Sequence, residues 1–391
     1  MSIFKRVPLI ISLLIVSSLA LFAIGCSDST SDEPAAAPVT TVKIGLLSPQ
    51  TGPIAVYADG FEDAGKVAIA ELNAAHTAHQ FELIIADTGC DGTQSATSAQ
   101  TLIDSGVTAI VGAACSGATL GAIAVAAPAG VPMVSYASTS PAVTTAADSG
   151  HLFRVVPSDA QQSVALTDVA AAAGAESPAV LYMTNDYGSG LGDNFAANWS
   201  GTVCTQVGYD PEEGSYDATT LAQSVVDGKC DSVLLMSYAT DGAAIMEALS
   251  AQGFTGTVIG ADGVADANFA TEFTDASAVD GLIATKPRAG AASSAKSAFE
   301  AAYAAAGGAD GAIYTGETYD AVKIVAAAIV ANTSGNIIAS LQKTGTNYDG
   351  ASGVHTFDGN GDVLGTGYEV CEFAGTTFSC PRTWTSDGGL K

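Results

Sequence analysis

Positive charge is scarce in this chain. Only 13 of 391 residues are Lys or Arg, against 40 Asp and Glu, for a formal net charge of −27. Nucleic acids and anionic membrane surfaces are bound through basic patches, so this balance argues against both as partners. Histidine is rarer still, at four residues. His76 and His79 make an H-x-x-H with no third ligand nearby, and His151 and His355 stand alone. There is no C-x-x-C either, so no metal is expected. Charged residues of both signs make up only 14% and hydrophobic residues 48%, a composition far from that of a disordered chain.

What is present starts at the N-terminus. Lys5 and Arg6 precede an apolar run from Val7 to Ile24, which ends in Ala23-Ile24-Gly25-Cys26. A basic start, a short apolar core and a small-residue cleavage site read as an export signal. The core is short for a membrane span, and Ser27-Asp28 follows in place of a basic flank. A Cys directly after the cut resembles a bacterial lipoprotein signal, in which Cys26 carries the lipid. Cleavage of residues 1–25 leaves 366 of the 391 residues. Losing Lys5 and Arg6 moves the net charge from −27 to −29. Residues 26–40 are small, polar and proline-containing, a flexible tether between lipid and folded body.

Six cysteines remain: Cys90, Cys115, Cys204, Cys230, Cys371 and Cys380. An even number in an exported chain suggests disulfides. Pairing of sequence neighbours is the simplest of the fifteen possibilities, and the sequence alone does not choose among them.

From Thr41 the pattern is strand then helix, repeated. Strands are expected at 42–47, 81–86, 107–111 and 131–136, with helices around 61–72, 93–105 and from 117. A second series starts near Pro157: a helix at 159–173, a strand at 179–183, a helix at 189–199, then strands near 204, at 231–237 and at 257–260. Such alternation implies an α/β fold with parallel sheets covered on both faces. An amphipathic helix is expected at 317–331, then a hairpin-like segment over 354–373. Its turn, Asp358-Gly-Asn-Gly-Asp362, lacks the acid that a calcium loop needs at position twelve.

The segment Lys43-Ile44-Gly45-Leu46-Leu47-Ser48-Pro49-Gln50-Thr51-Gly52-Pro53 resembles the opening of type I periplasmic solute-binding proteins, in the branch that binds leucine, isoleucine and valine for ABC importers. Later segments agree in order. They are Gly112-Ala-Ala-Cys115-Ser116-Gly, Tyr136-Ala137-Ser138-Thr139-Ser140-Pro141, Phe153-Arg154, Asn185-Asp186-Tyr187-Gly188, Gly260-Ala261-Asp262-Gly263, Gly281-Leu282-Ile283 and Tyr314-Thr315-Gly316-Glu317. The resemblance implies two similar doubly wound parallel-sheet lobes joined by three crossovers, with the ligand between them. It places 41–156 plus 285–355 in lobe 1 and 157–284 plus 356–391 in lobe 2. It also implies a Cys90–Cys115 disulfide, an ABC permease as partner and no cofactor.

A zwitterionic ligand needs donors for its carboxylate, an acceptor for its ammonium and an apolar wall. Ser116 falls at a strand-to-helix turn, where hydroxyl and backbone N–H groups suit an anion. Ala137, Ser138 and Thr139 follow the next strand. The resemblance gives Thr139 to both ends of the ligand and the Ala137 carbonyl to the ammonium. Asp262 follows strand 257–260 and is the acid expected to meet the ammonium, one methylene shorter than the Glu of leucine-binding relatives. Tyr57, Tyr187 and Tyr238 are expected to line the side-chain wall; three rings without a basic neighbour favour an apolar or neutral side chain.

Rival readings are weaker. Gly188-Ser-Gly-Leu-Gly192 lacks nucleotide-loop spacing, and no Walker motif occurs. Ser293–Lys296 and Lys343-Thr344-Gly345 resemble parts of a penicillin-recognising hydrolase, but no S-D-N lies between them. The chain is therefore read as an extracytoplasmic binding lipoprotein for a small amino acid, not an enzyme. A sensory lipoprotein, or a binder of an amide, another amino acid or an aromatic acid, fits the same fold.

Overall fold

The computed structural model describes residues 39–391 except 77, 213, 288–292, 309–311 and 366. Cys26, the leader before it and nearly all of the tether lie outside the described residues. The first run of elements is β1 (Thr40–Ser48), α1 (Ala58–Ala75), β2 (His79–Asp87), α2 (Gly92–Asp104), β3 (Ala109–Val111), α3 (Ser116–Ala126), β4 (Met133–Ser135), α4 (Pro141–Thr144) and β5 (Leu152–Arg154). The second is α5 (Asp159–Ala172), β6 (Pro178–Met183), α6 (Asp186–Asn198), β7 (Thr205–Tyr209), α7 (Ala218–Gly228), β8 (Ser232–Met236), α8 (Ala239–Ala251), β9 (Thr257–Gly260) and β10 (Ile283–Pro287). The last is α9 (Ser294–Ala305), α10 (Thr315–Ala331), α11 (Ile337–Thr344), β11 (Thr346–Asp349), β12 (Val354–Thr356), β13 (Tyr368–Ala374), β14 (Thr377–Thr385) and β15 (Gly389–Leu390).

The strands form two main sheets, one per lobe. The first runs β2-β1-β3-β4-β5, all parallel. The second repeats that order as β7-β6-β8-β9-β10, also parallel, then adds β13, β14 and β15 antiparallel at one edge. The chain passes between the sheets three times, from β5 to α5, from β10 to α9 and from β12 to β13. In both lobes the order reverses direction beside the first strand of the unit. Doubly wound sheets bind ligands outside the carboxyl ends of strands at that point.

Burial explains the local choices. Ile44, Leu46 and Leu47 of β1 are fully buried, as expected of a strand with helices on both faces. Phe61, Ala64, Ala68 and Leu72 put one face of α1 onto that sheet. α9 and α10 return from the second sheet to pack beside α1. Gly92 and Gly121 let α2 and α3 touch backbone to backbone; a Cβ on Gly121 would overlap the Gly92 carbonyl. Gly188 similarly brings α6 against the Met183 backbone, so this glycine serves helix packing and not a phosphate loop. Ser293 caps α9, its hydroxyl accepting from Lys296 N at 3.0 Å.

The expected 354–373 hairpin is not formed. A tight turn does close at 358–362, where Asp358 N donates to Asp362 O at 2.8 Å. Its flanking strands, however, part: β12 pairs with β11, and β13 pairs with β10 and β14. Arg154 is the cause. Its guanidinium is wholly buried and draws in the Asp362 carboxylate at 2.7 Å, while Arg154 N donates to Gly361 O at 2.9 Å. The turn is thus docked on β5, and the hairpin partner of β13 is β14, across a turn with Gly375 at φ +59°. The disulfides join sequence neighbours, Cys90–Cys115, Cys204–Cys230 and Cys371–Cys380, with Cα separations of 5.4, 5.5 and 3.7 Å. Among the described residues no helix is long and apolar enough to cross a membrane.

Candidate functional site

A small cavity opens between the lobes at the carboxyl ends of the strands. Tyr57, Ser116, Ala137, Tyr187, Tyr238 and Asp262 line it, with Ile54, Phe61, Ala114, Gly263, Ile313 and Tyr314 beside them.

The lobe 1 side is built from two strand-to-helix turns. Ser116 is the first residue of α3, held in place by the Cys90–Cys115 disulfide immediately before it. Its Oγ accepts from Ser140 N at 3.2 Å, which ties the α3 turn to the loop after β4. That loop is braced internally. The Ser138 hydroxyl donates toward the Ala113 and Ala114 carbonyls at 3.1 and 3.0 Å and lies 2.8 Å from Thr119 Oγ1, so it faces the lobe interior and not the cavity. Thr139 lies outside the lining too; its Oγ1 is buried with no hydrogen-bond partner. From behind, Arg154 Nη1 donates to Ser138 O at 3.2 Å and Ser140 O at 2.9 Å, fixing the loop through its backbone.

The lobe 2 side presents an acid between aromatic rings. Asp262 follows β9 and is 4% exposed. Tyr187 donates to its Oδ1 at 2.8 Å from the first turn of α6, and Tyr314 to its Oδ2 at 2.7 Å. Tyr187 and Tyr238 stack with centroids 5.1 Å apart and planes 7° from parallel. Gly263 N donates to the Tyr187 hydroxyl at 3.0 Å, and a Cβ on Gly263 would overlap the Ser237 carbonyl. Burial raises the Asp262 carboxyl above the ordinary range, and the Tyr314 and Tyr187 hydroxyls oppose that shift. Tyr57, Tyr187, Tyr238 and Tyr314 are all pushed well above the usual phenol range, chiefly by burial, so they act as neutral hydroxyls.

Tyr314 was not singled out from sequence as a cavity residue. It caps α10 in the left-handed region, φ +56°, a conformation uncommon for a bulky side chain. This backbone turn directs the ring across the gap to the other lobe's acid. Asp159 and Gln162, both fully buried on α5, are not among the lining residues. The lobes touch at several further points: Tyr57 OH donates to Gly263 O at 3.3 Å, Thr240 N to Pro53 O at 3.2 Å, Ile313 N to Asp266 Oδ2 at 2.6 Å, and Ser140 Oγ to Asp186 O at 2.6 Å.

Chemically, the cavity offers a helix N-terminus with a hydroxyl on one side, a carboxylate on the other and aromatic surface between. No basic side chain is among its lining residues. Among the described residues, the one three-ligand cluster of metal-binding type is Glu369 with Cys371 and Cys380, whose sulfurs are already joined to each other.

The periplasmic binding protein family matches residues 41–375. The Leu/Ile/Val-binding protein BraC3 of Rhizobium johnstonii is 27% identical over 335 residues, 84% of this chain and 90% of that protein. A leucine-, isoleucine-, valine-, threonine- and alanine-binding protein of Pseudomonas aeruginosa is 26% identical over 341 residues, 85% and 90% of the two chains. The crystal structure of a leucine-binding protein, LivK, from Thermotoga maritima is similar with a TM-score of 0.80 and 26% identity, covering 88% of this chain and 99% of that one. All three are named for the solutes they bind, and none for a reaction.

Proposed function

This chain belongs to the periplasmic binding protein family, and from that membership we propose that it captures a small α-amino acid between its lobes and delivers it to the permease of an ABC importer. The observation that carries the reading is Asp262, held by one tyrosine from each lobe and facing Ser116 at the start of α3 across one cavity. The ligand's carboxylate lies at the α3 N-terminus, where hydroxyl and helix dipole favour negative charge. Its ammonium lies toward Asp262 and the Ala137 carbonyl. Its side chain packs among Tyr57, Tyr187 and Tyr238. Branched-chain amino acids are the leading candidates, supported by the names of the relatives and by a wall without cations.

Lobe 1 in this reading comprises 41–156 and 285–355, and lobe 2 comprises 157–284 and 356–391. Ligand bound between them favours the closed arrangement and creates a surface made from both lobes for the permease to read. The N-terminal segment supports export, with a lipid on Cys26 keeping the protein at a bacterial membrane. A thermal-denaturation screen of the mature protein against amino acids, amides and aromatic acids tests the ligand class. A ligand at a hundred times its Kd adds about 2.7 kcal/mol of stability, a clear rise in Tm. Branched-chain or other small amino acids should produce that rise. A rise with aromatic acids or amides alone contradicts the reading.

A further inference from the structure

Three of the hydrogen bonds that cross between the lobes converge on one short stretch of lobe 2, from Asp262 to Asp266 just after β9. Tyr57 OH donates to Gly263 O at 3.3 Å, Tyr314 OH to Asp262 Oδ2 at 2.7 Å, and Ile313 N to Asp266 Oδ2 at 2.6 Å. The last two donors belong to successive residues. Asp266 has had no role so far: it is 1% exposed and is not among the residues that line the cavity. Its other oxygen accepts from Asn268 N at 2.7 Å, so its carboxyl holds one backbone N–H from each lobe. Burial raises this carboxyl above the usual range, and the two amides pull it back toward the charged form.

Each half of this contact is fixed to its own lobe. On lobe 2, Ala261 N donates to Leu235 O of β8 at 3.4 Å and Ala265 N to Asp262 O at 3.0 Å, so the turn moves with the second sheet. On lobe 1, Thr318 of α10 donates twice to Tyr314 O, from N at 2.9 Å and from Oγ1 at 2.7 Å. α10 in turn packs on α1, β3 and β4. Between the two acids' donors the backbone bends through the left-handed region, with Tyr314 at φ +56°. That conformation is costly for a bulky residue and persists where the surroundings demand it, ligand clamps among them. An ammonium at Asp262 need not displace Tyr314. An ionised carboxylate accepts at about four positions, and Tyr187 and Tyr314 leave the others open.

We propose that Ile313 and Tyr314 form a latch on Asp266 and Asp262 that closes with the ligand, and that Asp266 is a positioning residue that sets affinity without touching the solute. This rests on reading the cavity as the place where an amino acid is captured, and adds how the capture is held. Hydrogen bonds to a carboxylate are stronger than those between neutral groups. Both must break together when the lobes part, because each partner stays with its own lobe. The latch therefore governs how long the solute remains bound. Neither bond involves the solute's side chain, so the latch strengthens every bound amino acid by the same factor.

The test measures association and release rates of radiolabelled L-leucine, L-isoleucine, L-valine, L-alanine and L-threonine on the mature protein, Asp266→Asn and Tyr314→Phe. Asn at 266 keeps the shape but leaves two amides facing one oxygen; Phe at 314 keeps the ring and removes the donor. Each variant should release the bound amino acid about 10–100-fold faster, the range for one hydrogen bond to a charged group. Association should stay within about threefold of wild type, since affinity differences between related complexes fall mainly on release. The factor should be the same for each amino acid that binds. Wild-type release rates in Asp266→Asn overturn the latch and leave the amino-acid reading intact. So does a loss in Tyr314→Phe that varies with the side chain, which is what a wall residue gives. No binding of any of the five to wild type removes the amino-acid reading and the latch together. Amide exchange in wild type decides the matter if Asp266→Asn does not fold. A saturating amino acid should slow exchange of the Ile313 N–H by about 10-fold or more, because that bond exists only while the lobes are together. Exchange of this amide unaffected by the amino acid overturns the latch.

Discussion

Asp241 lies in the first turn of α8 and is 1% exposed, with the Tyr209 hydroxyl donating to its Oδ2. Burial pushes its carboxyl up to about 7, against the opposing pull of that hydroxyl. The folded protein therefore holds this proton more tightly than the unfolded chain does. Between the unfolded value near 4 and about 7 the native state binds more protons, so stability falls as pH rises through that window and levels off above it. Asp241→Asn, which keeps an oxygen for Tyr209, removes this contribution. Unfolding curves from pH 4 to 8 should show wild type losing stability relative to the variant as pH rises; parallel curves would contradict the assignment. The same residue scale shows the reach of sequence reading. Ser116, Asp262 and Tyr187 were accessible because each sits where a strand gives way to a helix. Tyr314 was not, since nothing in its neighbours announces a left-handed backbone. Asp159 reads in sequence as an ordinary acid at a helix start, favourable to the helix dipole, and only three-dimensional packing shows that it is buried without a partner.

At the scale of elements, α2 and α3 depend on a glycine contact that also positions Ser116. Gly→Ala inside a helix ordinarily stabilises by about 0.5–1 kcal/mol. At Gly121 the sign should reverse, because the added methyl meets the Gly92 carbonyl, which cannot move without its helix. Overpacking of that kind costs about 1–3 kcal/mol. Urea unfolding of Gly121→Ala should therefore show a lower midpoint than wild type; a higher one would mean the helices are not so closely packed. The strand–helix alternation was legible through the first lobe and the start of the second, and the later strands of the second, such as β8, stood out as apolar runs against polar turns. Helices α7, α8, α9 and α11 were passed over. α8 and α9 are rich in alanine, which contrasts too little with its surroundings to mark a buried face, and α11, at eight residues, is too short to show a sustained period. The 354–373 hairpin was misread for a different reason: Asn-Gly is a strong turn signal, but the register of the flanking strands was decided by Arg154, two hundred residues earlier.

At the scale of the molecule, two sheets of the same strand order face each other with their carboxyl ends toward one cavity. Repetition of the order gives both lobes a switch point, and the three passages leave the gap between them as the place where the halves can separate. Hydrogen bonds from single side chains and backbone groups span it, such as Tyr57 to Gly263 and Tyr314 to Asp262. On the proposed reading, a ligand that engages both faces shifts the gap toward its closed state. On the proposed reading, Asp262 on lobe 2, the α3 N-terminus on lobe 1 and the tyrosines between them receive a dipolar solute. Calorimetric titration of Asp262→Ala with the amino acid that binds wild type addresses this directly, with circular dichroism confirming that the variant is folded. The account predicts that a saturable one-to-one isotherm in wild type is lost in the variant. An isotherm of wild-type affinity in folded Asp262→Ala would contradict it.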